Sequence, residues 1–104
     1  MVERNSVFEA LADPTRRAVL DLLATREQSV SDLVARLRVT QPAISHHLRI
    51  LREAGLVKNR QLGRHRLYRL HAPPLREVHH WLAQYERFWT EKLDRLGEHL
   101  RRNP

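Results

Sequence analysis

The 104-residue chain is long enough for one small domain, and its 41% apolar content can supply a modest core. The absence of cysteine excludes thiol redox sensing and thiolate metal sites. No apolar run approaches the ~20 residues that span a bilayer, and the polar N-terminus lacks the features of a secretory signal. The sequence therefore predicts a soluble, cytoplasmic protein with no membrane association.

The net charge of +7 is concentrated in one stretch of the chain. Residues 41–71 contain seven arginines and lysines but a single acidic residue, Glu53, whereas basic and acidic residues balance over residues 1–40. A localised cationic surface attracts polyanions, and nucleic acid is the commonest of these in cytoplasm. The charge distribution therefore indicates a nucleic-acid-binding protein.

Two helices are predicted at the start of the chain. The first covers residues 3–12, where three apolar residues lie on one helical face: Val7, Phe8 and Leu11. Asp13 is a favoured N-cap and Pro14 suits a first helical position, so a second helix is predicted over residues 14–25. Arg16 and Arg17 lie near its N-terminus, where the helix dipole disfavours cations. Three roles remain open for them: a phosphate contact, a carboxylate contact or plain solvent exposure.

A helix-turn-helix is predicted over residues 29–54. Ser29 and Asp32 have the spacing of a capping box, and the apolar residues that follow mark a two-turn amphipathic helix. Residues 38–39 are too few for a separate element. Thr40 then caps a second helix that extends to about Ala54, where a glycine stops it.

The second helix of this motif has two distinct faces when its residues are placed ~100° apart. Ile44, Leu48 and Leu51 lie on the inward face. His47 lies beside them, which predicts a packed and hydrogen-bonded histidine. The outward side and the cap suit contacts with base edges and phosphates, and the predicted DNA contacts are Thr40, Gln41, Pro42, Ser45, His46, Arg49 and Arg52. The alternative is a simple solvated face, which the basic hairpin that follows disfavours.

Residues 57–70 are predicted to form a β-hairpin, with Gly63 near its turn. Because the alternation of polar and apolar residues is imperfect, the register stays open. Cations of this hairpin suit the phosphate backbone or a minor groove, and the predicted contacts are Lys58, Arg60, Arg64, His65 and Arg66. Tyr68 and Leu70 are predicted to hold the hairpin against the core.

A long helix is predicted over residues 75–101, with a length of ~40 Å at 1.5 Å per residue. Its apolar stripe is too long for the preceding residues to cover, which predicts a homodimer. The predicted interface comprises Val7, Phe8, Leu11, Val78, Trp81, Leu82, Tyr85, Phe88, Trp89, Leu93 and Leu96. The alternative is a helix that folds back onto its own domain.

Four segments, taken in order, resemble the ArsR-type family of bacterial winged-helix repressors. They are residues 8–16 (FEALADPTR), 41–48 (QPAISHHL), 51–57 (LREAGLV) and 63–68 (GRHRLY). The resemblance implies a mainly α fold with five helices and a β-hairpin wing. It also implies a homodimer that represses a promoter from an inverted-repeat operator and is released by an effector. The whole chain is then one domain, in which residues 1–12 and 75–101 dimerise.

Many proteins of this family sense metals, and the sequence departs from them. Residues 30–33 lack the thiols of one family site. In the other family site, on the last helix, Val78 stands where a ligand is expected, although His80, Glu91 and Asp94 remain. We therefore expect no metal and no cofactor, and the inducing signal is unknown. A residual site at these three residues stays open.

Four other functions stand beside a sequence-specific repressor. A metal-responsive repressor of the same fold and a non-specific DNA-compacting protein would use the same basic residues. An enzyme built around His46, His79 and Glu91 is disfavoured, because the sequence has no phosphate loop, nucleophile elbow or zinc-protease motif. A module that recruits other proteins through the last helix remains compatible with repression.

Overall fold

The computed structural model describes residues 4–90 and Gly97. Within these residues the chain forms five helices, a further helical segment over residues 86–90 and one three-stranded antiparallel sheet, as the predicted mainly helical class requires. In chain order the elements are α1 (Arg4–Leu11), α2 (Pro14–Leu23), β1 (Gln28–Ser29), α3 (Val30–Leu37), α4 (Gln41–Glu53), β2 (Val57–Leu62), β3 (His65–Leu70) and α5 (Leu75–Ala83). None of the helices in the described ranges is long and apolar enough to cross a membrane.

The predicted N-caps form in the structure. The Asp13 carboxylate accepts a hydrogen bond of 3.0 Å from the backbone N–H of Arg16. Ser29 and Asp32 exchange the two bonds of a capping box, at 3.2 and 3.0 Å. The Thr40 hydroxyl accepts a bond of 3.3 Å from the first turn of α4. Each cap satisfies an N–H that the helix leaves free, which fixes where α2, α3 and α4 begin.

A left-handed residue makes the short turn between α3 and α4. Arg38 has φ 56°, ψ 41°, and its N–H donates to the carbonyl of Val34 at 2.9 Å. This conformation is unfavourable for a residue with a Cβ, but it reverses the chain quickly after a helix. Only two more residues, Val39 and Thr40, precede α4. The turn thereby sets the angle at which α4 leaves the body of the protein.

The wing is a β-hairpin extended by one short strand. Lys58 pairs with Arg69 and Leu62 with His65 across β2 and β3, and Gly63 at the turn has φ 60°. Strand β1 pairs with β3 on the other side, which gives the order β1-β3-β2 and leaves β2 at an edge. The sequence did not predict β1, because two residues show no alternation.

The core lies between the helices and the base of the wing. Its buried residues are Val7, Ala10, Val19, Leu20, Leu23, Leu33, Ile44, Leu48, Leu51, Ala54, Leu56 and Val57. Tyr68 and Leu70 pack against this cluster, which confirms their predicted role in holding the wing. Three of the buried residues come from α4, so the inner face of that helix is anchored in the core.

The last predicted helix is interrupted. Helix α5 ends at Ala83, Gln84 and Tyr85 form a turn, and residues 86–90 are helical again. In the turn the Tyr85 N–H donates to the carbonyl of Leu82 at 2.9 Å, an i to i−3 bond that replaces the α-helical pattern. The prediction of one continuous helix over residues 75–101 is therefore wrong at this point. Apart from Gly97, its residues beyond 90 lie outside the described part.

Candidate DNA interface

Helix α4 has the two faces that its sequence predicts. Ile44, Leu48 and Leu51 are buried. The opposite side is exposed, and we call it the recognition face: Gln41, Pro42, Ser45, His46, Arg49, Arg52 and Glu53. This face combines hydrogen-bond donors, acceptors and cations on a helix whose other side is fixed in the core. Such a helix can enter a major groove without giving up its packing.

Arg49 is oriented by its neighbours on the recognition face. One guanidinium nitrogen lies 3.2 Å from Nδ1 of His46, and another lies 3.8 Å from a carboxylate oxygen of Glu53. Because arginine can only donate, the His46 nitrogen must accept. The planar fork of Arg49 is thus held along the helix surface at the centre of the face, which suits bidentate contact with a guanine edge.

His47 lies on the inner side of α4, as predicted. Its side chain is only 16% exposed, and its Nδ1 lies 3.3 Å from a guanidinium nitrogen of Arg16 and 4.0 Å from the carboxylate of Asp13. Burial lowers the pKa of His47, and the positive charge of Arg16 lowers it further. The negative charge of Asp13 raises it, but the net shift of the pKa is downward. Folding therefore favours the neutral imidazole of His47 over the protonated one, relative to an unfolded chain.

Arg16 and Arg17 take a role that was not among the three left open. Arg16 donates through Nε to the carbonyl of Ala10 at 2.7 Å and through Nη2 to that of Glu9 at 3.0 Å. Arg17 donates to the carbonyl of Leu11 at 2.7 Å. Both side chains bind carbonyls at the C-terminal end of α1, where cations are favourable, and the Glu9 carbonyl also accepts from the N–H of Ala12 at 3.2 Å. They join α1 to α2.

The cations of the wing differ in whether a side chain of the protein already binds them. Arg64 and His65 are exposed at the tip, while Arg66 donates to Asn59 Oδ1 at 2.8 Å. Arg60 makes two bonds to the carboxylate of Glu27, at 2.9 and 3.2 Å. The bond from Arg60 lowers the pKa of Glu27, so this carboxylate stays charged. A phosphate would therefore compete with Glu27 for Arg60.

A cationic groove continues the recognition face beyond the C-terminus of α4. It has a volume of about 540 Å³ and is lined by Arg52, Gly55, Val57, Lys58, Asn59, Arg69, His71 and Pro74. Among these lining residues none is acidic, and Lys58 stands directly opposite Arg69 in the sheet. Like charges at paired positions repel, and a bound anion relieves that repulsion. Arg69 and His71 lie outside the predicted contacts, although the pairing of Lys58 with Arg69 follows once the register is known.

Helix α5 and the residues after it carry an exposed aromatic patch. It consists of Trp81, Leu82, Tyr85, Phe88 and Trp89, each 38–56% exposed. The rings of Trp81 and Tyr85 lie 5.4 Å apart between centroids, and Trp81 also meets Phe8 of α1 at 5.6 Å. The patch is therefore an ordered surface joined to α1, of a kind that marks protein–protein contact.

The remaining predicted interface residues are placed differently. Val7 is 1% exposed and belongs to the core of the protomer, so it offers no surface to a second copy. Its prediction as a dimer-interface residue is therefore wrong. Phe8, Leu11 and Val78 are half-buried, with Leu11 and Val78 packed against the core. Two others, Leu93 and Leu96, lie outside the described residues.

Of the three possible metal ligands, one lies within the described residues. His80 is exposed on α5, whereas Glu91 and Asp94 lie outside the described residues. Over residues 4–90 and Gly97, no group of three or more His, Asp or Glu side chains is placed to hold a metal ion.

Comparison with known proteins matches this geometry. The family model "Bacterial regulatory protein, arsR family" matches residues 13–59. The chain is 35% identical over 81 residues to the transcriptional repressor SdpR of Bacillus subtilis, covering 78% of this chain and 90% of that protein. It is 40% identical over 86 residues to the HTH-type transcriptional regulator Rv2034 of Mycobacterium tuberculosis, covering 83% and 78%.

Solved structures agree with the sequence matches. The ArsR-like transcriptional regulator from Rhodococcus sp. RHA1 superposes with a TM-score of 0.73 at 33% identity, covering 96% of this chain and 92% of that one. Another ArsR family transcriptional regulator gives a TM-score of 0.71 at 35% identity, covering 83% and 89%. The chain therefore belongs to the arsR family of bacterial regulatory proteins, and it is a winged helix-turn-helix transcriptional repressor rather than an enzyme.

Proposed function

We propose that this repressor acts as a homodimer that binds an inverted-repeat operator, with one recognition helix in each half-site. The observation that carries this proposal is the recognition face of α4, polar and cationic, beside a wing and groove of the same charge. A helix of this kind supplies base contacts, and the flanking cations supply phosphate contacts. Binding at a promoter then blocks transcription.

The side chains divide between base edges and backbone. Gln41, Ser45, His46 and Arg49 point outward from the N-terminal and central turns of α4 and are assigned to bases. Backbone contacts are assigned to Thr40, Pro42, Arg52, Lys58, Arg60, Arg64, His65 and Arg66, with Arg69 and His71 added from the groove. The backbone set provides affinity and salt dependence, while the base set provides the choice of sequence.

The homodimer is supported by the aromatic patch. A second copy of the same surface covers it with matching apolar area, because a two-fold contact is self-complementary. The two recognition helices then lie about one DNA turn apart, or a multiple of it, on one side of the duplex. An inverted repeat in the operator reflects this symmetry.

In vitro selection of bound duplexes, starting from random DNA, tests the proposal. We expect the selected sequences to share an inverted repeat. Their affinity should exceed that of unselected DNA by roughly a thousandfold or more at physiological salt. A selection that returns no common sequence, with equal affinity for all duplexes, would contradict the proposal and favour the non-specific DNA-compacting protein.

Removing the Glu27 charge should strengthen DNA binding. In the Glu27→Gln variant Arg60 loses its carboxylate partner and Arg69 loses a nearby negative charge, so both become available to phosphates. We expect affinity for the selected duplex to rise by roughly threefold at low salt, with a steeper salt dependence. Fluorescence anisotropy over a series of salt concentrations measures both.

Asp21→Asn is the matched control, since it makes the same change in net charge at an exposed site on α2. It should alter affinity less than Glu27→Gln does. Equal gains in the two variants would show that net charge, and not release of Arg60, is responsible.

A further inference from the structure

We propose that Arg16 and His47 are positioning residues of the recognition helix, and that DNA binding by this chain weakens when His47 takes up a proton. The inference rests on the proposed function and adds a pH dependence to it. Neither residue lies on the recognition face. Both act on DNA only through the placement of α4.

The contact that carries the inference is a single guanidinium with three acceptors on two other helices. Nε and Nη2 of Arg16 bind the carbonyls of Ala10 and Glu9 at the end of α1, and Nη1 lies 3.3 Å from Nδ1 of His47 in α4. Arg16 itself lies in the first turn of α2. One side chain therefore joins three helices at the point where α4 turns its inner side toward them.

The contact exists in only one protonation state of the histidine. A guanidinium has no acceptor, so Nδ1 of His47 has to present its lone pair. When Nδ1 of His47 carries a proton, its N–H points at an N–H of the Arg16 guanidinium, and the two positively charged groups repel each other. The other partner within reach is the Asp13 carboxylate at 4.0 Å, which accepts from a protonated ring. Protonation therefore shifts His47 from Arg16 toward Asp13 and breaks the Arg16 link between α4 and α1, while the core contacts of the two helices remain.

The charged groups around His47 set the direction of the effect. Arg16 faces it from α2, Asp13 from the N-cap of α2, and His46 is its neighbour on α4. Arg16 and His46 oppose its protonation, whereas Asp13 favours it. Burial adds to the opposition, so the pKa of His47 lies below that of a histidine in the unfolded chain. The unfolded chain thus binds the proton more readily. This contribution to stability is present above a pH of about 6.5 and is lost as the pH falls.

The sign separates this mechanism from ordinary electrostatics. Acidification adds positive charge to a basic protein surface, which by itself strengthens attraction to phosphates. A positioning role of His47 predicts the opposite change. A fall in specific affinity at acid pH is therefore not expected from added positive charge, and its loss in a His47 variant separates this role from any effect on the His46–Arg49 contact of the recognition face.

The network also reaches the aromatic patch. Phe8 of α1 contacts Trp81 edge-on at 5.6 Å, and α1 is tied to α4 through Arg16. These contacts form a continuous series from the aromatic patch through α1 and Arg16 to α4.

The test measures, by fluorescence anisotropy, the affinity of the protein for a duplex selected by the wild-type protein. The ionic strength is held constant and the pH is varied between about 7.5 and 5.5. We expect wild-type affinity to fall by roughly five- to tenfold over this range, a size typical of coupling between two sites. His47→Gln keeps an oxygen that accepts from Arg16 and cannot be protonated. It should bind within about twofold of wild type at pH 7.5 and lose most of the decline. His79→Gln, at an exposed site on α5, should retain the full decline.

A second pair of variants tests Arg16 directly. Lysine at position 16 keeps the charge but cannot span three acceptors, so Arg16→Lys should weaken specific binding at every pH. Arg17→Lys should have little effect, because Arg17 makes a single bond that lysine can replace. Thermal unfolding at each pH verifies that the variants are folded during the assay.

The outcomes separate the two proposals. If wild-type protein shows no sequence preference at pH 7.5, the proposed function fails. If it binds specifically but its affinity is constant or rises on acidification, the positioning role is overturned while the proposed function stands. A His47→Gln variant that declines as steeply as wild type would overturn it as well.

Discussion

The Trp89→Glu variant is expected to be a monomer with greatly weakened DNA binding. Trp89 lies in the aromatic patch and is 42% exposed in the isolated protomer, so its replacement leaves the core intact. A carboxylate at this position would be buried without a partner in the proposed interface, which is strongly unfavourable. Sedimentation velocity measures the oligomeric state.

Loss of the dimer separates the two recognition helices. In a dimer, binding of one recognition helix raises the effective concentration of the other at the second half-site, and a monomer lacks this effect. Affinity for the selected duplex should therefore fall by roughly a hundredfold or more. Leu62→Glu is the control for oligomeric state, because it introduces the same charge at an exposed leucine on the wing, outside the patch. A Trp89→Glu protein that remains a dimer would show that the interface lies elsewhere.

Arg49→Ala is expected to reduce sequence preference strongly with little change in stability. Arg49 is exposed at the centre of the recognition face, held by His46 and Glu53. A bidentate contact with a base is worth ~1–3 kcal/mol, so each half-site should lose between roughly 5- and 150-fold in affinity. Anisotropy with selected and unselected duplexes measures the loss and the ratio between them.

Arg49→Lys distinguishes a base contact from a phosphate contact. Lysine keeps the charge but not the planar fork, so a base contact is lost while attraction to the backbone remains. We expect affinity for the selected duplex to fall by roughly tenfold and affinity for unselected DNA to change less than about twofold. Arg76→Ala, an exposed arginine on α5, should change neither. Equal losses on both duplexes in Arg49→Lys would assign Arg49 to the backbone instead.

The elements that the sequence predicts well are those with local signals. Asp13, Ser29 and Thr40 cap helices because each side chain binds an N–H within three residues of itself, and this depends on no distant part of the fold. The two faces of α4 follow equally from helical spacing, and Ile44 and Leu48 are buried as that spacing requires. The recognition face was predictable for the same reason.

Contacts between distant segments were not predictable in this way. Arg16 meets His47 across 31 positions and Arg60 meets Glu27 across 33, and no spacing rule links such pairs. The sequence therefore predicted that Arg60 contacts DNA but did not predict its ion pair with Glu27. The interruption of the last helix at residues 84–85 was also missed, because neither Gln84 nor Tyr85 is a helix breaker.

The open edge of the sheet has a consequence for the protein in concentrated solution. Strand β2 has no neighbour on one side, so its backbone groups could pair with a strand of another molecule. Lys58 lies on this strand, and its charge opposes the approach of a second such edge, whereas the charge of Arg60 is balanced by Glu27. We therefore expect self-association through the wing to be weak at low salt and to increase as salt is added. A cation that we assign to DNA would then also help to keep unbound repressor from aggregating.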